Sequence, residues 1–217
     1  MDNRTVLRNA ALVMALAFLV HVINGLLIER TLLGFTSFDD YSDVDKLQVA
    51  IGSVAWKASG VGHFVTAFVV LVLALGLAER ARRTGYGAHA LIAALGTVAA
   101  AGFGIIGAAN GIGAQVMHLL QDHNPSVPPA GAVVALSLIV PIANALAITM
   151  FGGLLITVSV WGRRTGSLGR GLVVLGWIAG VSGLLMAFAY VPAYLFLYLV
   201  WLVWFATTVR EPATTSV

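Results

Sequence analysis

Residues 56–85 read WKASGVGHFVTAFVVLVLALGLAERARRTG. Between Lys57 and Glu79 lie 21 residues without a formal charge, dominated by Val, Leu and Ala. A run of roughly 20 apolar residues is what an α-helix needs to cross the hydrocarbon core of a bilayer. One ionisable residue, His63, interrupts the run near its start, and Arg80, Arg82 and Arg83 close it. This stretch alone therefore predicts a membrane span, an ionisable group inside it and a basic end that orients it.

Working outward, apolar segments are predicted near 6–28, 56–78, 88–114, 131–160, 170–190 and 191–209. The third and fourth exceed the length a span needs, so they tilt or project from the bilayer. Only Tyr190-Val191-Pro192 separates the last two, a tight turn in which proline resists continuing the helix. The whole chain of 217 residues is 59% hydrophobic and 10% charged, whereas a soluble domain carries about 25% charged residues. The expected fold is an all-α integral membrane protein, six transmembrane helices in one bundle, forming a single polytopic domain over residues 1–217. Cysteine is absent, which excludes disulfides, thiolate metal sites and cysteine nucleophiles. The net charge of +3 is not a nucleic-acid signal, because the basic residues lie between apolar segments, where they set topology.

Those basic residues alternate in side. One set of segment ends carries Arg4, Arg8, Arg80, Arg82, Arg83, Arg163, Arg164, Arg170 and Arg210; the other carries only Arg30, Lys46 and Lys57. Basic residues are enriched on the cytoplasmic side, so both termini, including the tail 210–217, are expected there, in a bacterial inner membrane. The opposite loops hold Glu29, Asp39, Asp40, Asp43, Asp45 and Asp122 and make the outer surface acidic. The first span has the basic start of a signal peptide, but it ends in Gly25-Leu26-Leu27-Ile28-Glu29 rather than a small-residue cleavage site and reads as uncleaved.

The string RRTG occurs at Arg82–Gly85 and again at Arg163–Gly166, and the stretch Gly62 to Gly85 falls on Ala143 to Gly166 without a gap. Read as a duplication, spans two and three correspond to spans four and five in a parallel repeat, and His63 aligns with Asn144. Read as coincidence, the two strings are ordinary arginine-rich turns.

Ionisable residues inside a membrane are rare and commonly functional. His21 and His63 each lie about seven residues below the outer end of their span, or roughly 10 Å deep at 1.5 Å per residue. Asn24 shares a face with His21, and Ser59 and Thr66 share one with His63. Asn110, Ala114 and His118 form an i, i+4, i+8 line with Gln115 beside it; Asn144 lies below Pro141, where a kink is expected; Tyr194 and Tyr198 share a face near Trp201. These groups are expected to converge on an outward-facing polar site lined by His21, Asn24, His63, Asn110 and Asn144. Two histidines at equal depth on adjacent helices suit the iron of a single haem b, which would make the role electron transfer or redox sensing. A small apolar ligand suits the same site. Alternatively the pair is interhelical glue, bonded to backbone carbonyls or to Asn24 and Asn144. His118, Asp122 and His123 have the spacing of a surface metal site, although an exposed loop histidine is ordinarily just solvated, and His89 falls at the cytoplasmic interface.

Other patterns carry less. Gly102-Phe103-Gly104-Ile105-Ile106-Gly107 matches GxGxxG but lies inside an apolar helix with no preceding strand, so it is no dinucleotide site. Small residues four apart, Gly107 with Gly111 and Gly176 with Gly180, let helices approach closely in lipid. Loop 29–55 lacks the glycine and terminal glutamate of a calcium loop. Ser42 and Asp45 read as a capping box for a short amphipathic helix over about 43–55, with Gly52, Gly60 and Gly62 allowing a bend into span two. This loop is the best lid or partner-docking surface. No protease, transferase or carboxylate-relay pattern occurs in the spans, so no reaction and no catalytic residue is assigned. Three functions remain: a binding protein for haem or a small apolar ligand, a permease or exporter component, and a structural or assembly subunit of a membrane complex.

Overall fold

The computed structural model describes residues 3–35, 43–51, 53–126, 129–189 and 193–209. Among the described residues the secondary structure is helical, without strands: α1 (Asn3–Ile23), a π-helical turn (Asn24–Ile28), α2 (Glu29–Leu32), α3 (Val44–Ile51), α4 (Val54–Arg83), α5 (His89–His123), α6 (Pro129–Thr165), α7 (Arg170–Ala189) and α8 (Ala193–Thr208). Helices α1, α4, α5 and α6 are long and apolar enough to cross a membrane, and α7 and α8 are shorter apolar helices.

Local sequence explains several helix ends. Ser53, extended at φ −75° and ψ 155°, accepts a hydrogen bond from the Trp56 amide at 3.1 Å and caps α4. Asp43 caps α3, its Oδ1 accepting from the amides of Asp45 and Lys46 at 3.0 and 3.2 Å; the expected capping residue Ser42 lies outside the described residues, as do Tyr190–Pro192 and the tail 210–217. The amphipathic helix is shorter than 43–55: α3 stops at Ile51 and α4 starts afresh at Val54. At the other end of α4, Glu79 pairs with Arg82 Nε at 2.8 Å and Arg83 Nε at 2.9 Å. Both RRTG strings then end their helices with a glycine in the left-handed region, Gly85 at φ 70° and Gly166 at φ 68°, where a side chain is disfavoured.

Each helix of the bundle packs on its sequence neighbours, α4 on α5, α5 on α6, α6 on α7 and α7 on α8, while α1 closes the ring by packing on both α4 and α8. Glycines set the closest crossings. A Cβ added at Gly60 lies 2.6 Å from the Gly111 amide nitrogen, and one at Gly107 lies 3.1 Å from the Gly60 carbonyl oxygen. Between α6 and α7, Gly152 and Gly180 face each other's carbonyls, each added Cβ 2.6 Å from the opposing oxygen. The expected bend at Gly60 and Gly62 is therefore absent: both lie inside uninterrupted α4, where the missing side chains permit close approach instead. Pro141 lies inside α6, which is one helix from Pro129 to Thr165.

The middle of the ring is filled by aromatic side chains. Phe18 of α1 meets Phe103 of α5 at 6.3 Å, Phe151 of α6 at 6.5 Å and Tyr198 of α8 at 6.0 Å between ring centroids. The Tyr198 hydroxyl donates to the Ile148 carbonyl at 2.9 Å, in a notch left by Gly183 and Gly152. Replacing Tyr198 by Phe is expected to cost about 1 kcal/mol, the worth of one interhelical hydrogen bond in lipid, measured as an earlier midpoint in denaturing-detergent titration.

A second apolar cluster caps one end. Phe35, Leu47, Ala50 and Ile51 pack with Trp56, Ala114, Met117 and Val133, so α3 is seated on α4, α5 and α6. The two RRTG corners meet each other: the Trp161 indole donates to the Thr84 hydroxyl at 3.0 Å, and the Arg164 guanidinium lies 5.6 Å above the Tyr86 ring.

Candidate functional site

His21 lies in the last turn of α1 and His63 in α4, and packing of these helices brings their rings together, centroids 4.1 Å apart and tilted by 43°. Gly62 makes the seat. A Cβ there lies 3.3 Å from His21 Cε1 and 3.7 Å from Nε2, a tight contact, so the glycine lets the imidazole lie directly against α4.

His63 has a defined tautomer. Its Nδ1 lies 2.8 Å from the Ser59 carbonyl oxygen, which can only accept, so Nδ1 carries the proton and Nε2 the lone pair in the neutral ring. The Ser59 hydroxyl sits 3.4 Å from the same Nδ1 and accepts from Asn110 Nδ2 at 3.4 Å. The Gly60–Gly107–Gly111 crossing makes that link between α4 and α5 short enough. Two polar atoms of the cluster, His21 Nε2 and Asn110 Oδ1, are buried with no hydrogen-bond partner among the described residues. Buried polar atoms are ordinarily bonded; His21 on α1 and Asn110 on α5 flank α4 from either side, and Thr149, Ser159 and Trp201 elsewhere in the bundle also carry such atoms. Phe103, 6.4 Å from the His63 ring, forms the cluster's floor and joins it to the central aromatic layer.

The remaining predicted groups divide. Asn24 is buried but turns to Glu29, donating to Oε1 at 2.7 Å across the π-helical turn that follows His21. It braces the end of α1 and makes no bond to His21. Asn144 makes no hydrogen bond to the cluster among the described residues. Tyr194 and Tyr198 are buried beyond the Phe18–Phe103 layer, outside the cluster. On α5, Asn110 and Ala114 face inward but His118 is exposed. Eight residues at 3.6 per turn overshoot by about 80°, and Met117, seven residues on, takes the inward place. Among the described residues His123 bonds only the Leu119 carbonyl, and no three His, Cys, Asp or Glu side chains group as a metal site. Gly62 and Phe103 were not among the predicted site residues. A glycine beside an intramembrane histidine was the only signal for the first, and nothing in the sequence distinguished the second.

The geometry tests the haem expectation. Iron–imidazole bonds of about 2 Å on opposite faces of a porphyrin hold the two ring centroids about 6 Å apart. At 4.1 Å the rings are in mutual contact, with no gap for a macrocycle between them, so His21 and His63 do not fit a shared haem. No family model, curated protein or solved structure matches this chain.

Proposed function

We propose that this chain is a six-span protein of the bacterial inner membrane, with both termini cytoplasmic, that binds a small, mainly apolar ligand at the His21–His63 cluster near the outer face. The arginine asymmetry supports the orientation. So does the meeting of both RRTG corners at one end of the bundle, as expected for loops on the same side. A parallel repeat relating α4–α5 to α6–α7 is favoured by the matching Gly85 and Gly166 corners and by Gly102 and Gly183, which occupy equivalent positions and both lie at tight contacts.

One observation carries the binding reading: a ring contact between two intramembrane histidines that leaves His21 Nε2 buried and unbonded. Simple interhelical glue would consume that nitrogen. The ligand enters from the lipid, since Val20, Val61 and Phe64, beside the histidines in sequence, are 51%, 64% and 48% exposed on the apolar surface. The permease alternative keeps the support of the parallel repeat, while α6 is one helix through Pro141 and aromatic rings fill the centre of the bundle.

Photolabelling tests the binding reading. A diazirine-bearing decanol added to the protein in lipid nanodiscs is expected to label residues 20–23 and 59–64 preferentially; labelling spread evenly over the lipid-facing helices would overturn it. The visible spectrum of the air-oxidised and dithionite-reduced protein is expected to lack a Soret band. A band that shifts on reduction and is lost in both His21→Ala and His63→Ala would restore haem ligation.

A second reading, docking of a membrane partner through segment 29–55, is favoured by Leu32, Val49 and Val54, exposed at 73%, 72% and 83%. In cells, a photocrosslinker at position 49 is expected to trap a neighbouring protein if that reading holds and lipid alone if it does not.

A further inference from the structure

The two RRTG corners carry the same arginines but hold them differently. In the first, Glu79 takes both side chains: Arg82 donates through Nε and Nη2 at 2.8 and 2.9 Å, and Arg83 through Nε at 2.9 Å. In the second, Val160 stands where Glu79 does, three residues before Arg163 and four before Arg164. From His123 to Arg210 the sequence contains no carboxylate, and among the described residues Arg163 and Arg170 form no ion pair. Arg164 is set aside over the Tyr86 ring. We infer that Arg163 and Arg170 hold the phosphate of an anionic phospholipid at the α6–α7 seam, in the leaflet that meets both RRTG corners. This site is separate from the His21–His63 cluster.

The fold puts both arginines on that seam. Ile156 of α6 packs on Gly180 of α7. Arg163, seven residues further on, lies about 20° from the same line along α6, so it stands on the α7 side. The corner then folds back. Leu168 covers Gly162, and its amide donates to the Gly162 carbonyl at 3.4 Å. That anchor returns the chain beside the turn that carries Arg163, and α7 starts two residues later, at Arg170. Both arginines are exposed. A guanidinium presents a planar fork of donors that matches phosphate oxygens. Two forks without a carboxylate draw an anion more strongly than Arg82 and Arg83, which are already bonded to Glu79.

The surroundings favour a lipid over a free anion. From Arg170 the outer face of α7 continues in Val174, Trp177 and Val181, all exposed and all within about 40° of Arg170 around the helix. An acyl chain lies along such a lane beneath a headgroup held at its end. Trp204 of α8 packs against Gly171, next to Arg170, and fills the space a side chain there would take. Indoles settle at the headgroup level of a bilayer. In the proposed orientation this end meets the cytoplasmic leaflet, whose anionic lipids attract basic segments.

The test uses the full chain in mild detergent, with phosphatidylglycerol and phosphatidylcholine of identical chains added in equal amounts. Native mass spectrometry counts the lipid retained. The wild-type protein is expected to retain phosphatidylglycerol at least tenfold more than phosphatidylcholine. Arg163→Gln/Arg170→Gln is expected to abolish the preference. So is Val160→Glu, which keeps every arginine and supplies the carboxylate that the first corner has. Arg82→Gln/Arg83→Gln is expected to leave the preference unchanged. Where Arg163→Gln/Arg170→Gln does not elute as folded, the contrast between Val160→Glu and Arg82→Gln/Arg83→Gln decides. Equal retention of the two lipids by the wild-type protein, or a preference that Arg82→Gln/Arg83→Gln reduces as much as Arg163→Gln/Arg170→Gln, would overturn the assignment to this seam. Displacement of the bound lipid by glycerol phosphate at the same concentration would overturn the lipid and leave a free-anion site in its place.

Discussion

A Gly60→Leu variant is expected to lose the folded bundle. At this position an added Cβ meets backbone on the opposite helix, 2.6 Å from the Gly111 nitrogen, 2.8 Å from its Cα and 3.0 Å from the Gly107 carbonyl oxygen. No rotamer relieves a backbone clash, so α4 and α5 must separate. Association of helices in lipid has no hydrophobic drive between them and depends on close packing. Separation therefore forfeits dispersion along the whole α4–α5 seam, beyond the roughly 1–3 kcal/mol of an ordinary overpacked core site. Size-exclusion chromatography in mild detergent, with limited proteolysis, reads the outcome: aggregation and rapid cleavage are expected. Wild-type elution and resistance would mean that the two helices do not cross at Gly60.

Two residues away, Gly62→Leu is expected to behave in the opposite way, retaining the fold and losing the site. The atoms met there belong to the His21 ring, at 3.3 and 3.7 Å, and a side chain at the lipid-facing edge of α1 can swing aside. Leucine's better helix propensity, by roughly 1 kcal/mol over glycine, offsets much of the residual crowding. Folding stability is expected to change by less than about 2 kcal/mol, while photolabelling at residues 20–23 and 59–64 falls at least tenfold because His21 no longer lies on His63. Labelling that persists at wild-type level would separate the binding site from the histidine contact.

The helical class and the four long apolar helices α1, α4, α5 and α6 were legible because hydrocarbon imposes length and composition directly on sequence. The pairing was legible too: the sequence places His21 and His63 at similar distances from the ends of their apolar segments, and their rings meet. Facing was harder. The i, i+4, i+8 line from Asn110 accumulates rotational error and carries His118 to the surface, and Asn24 is withdrawn by a π-helical turn, whose extra residue no hydropathy pattern announces. Glycine roles were partly hidden for the same reason. A bend and a tight crossing both call for a missing side chain, and only the partner helix decides between them: Gly111 across from Gly60, His21 across from Gly62. Haem ligation and direct ring contact likewise require the same two residues at the same depth, and a separation of about 2 Å distinguishes them.

Everything proposed for the site depends on His21 and His63 meeting between α1 and α4. The chain contains no cysteine, so a His21→Cys/His63→Cys variant introduces two thiols and nothing else reactive. The side chains meet through their rings, which leaves the Cβ atoms further apart than a direct disulfide allows, so a short bifunctional thiosulfonate that spans the width of two rings is added in native membranes. A protease site inserted within 36–42 is then cut after denaturation; the two pieces are expected to stay joined, to part on addition of reductant, and to part without it in either single variant. Pieces that part without reductant in the double variant, in protein that elutes as folded, would contradict the contact and with it the site.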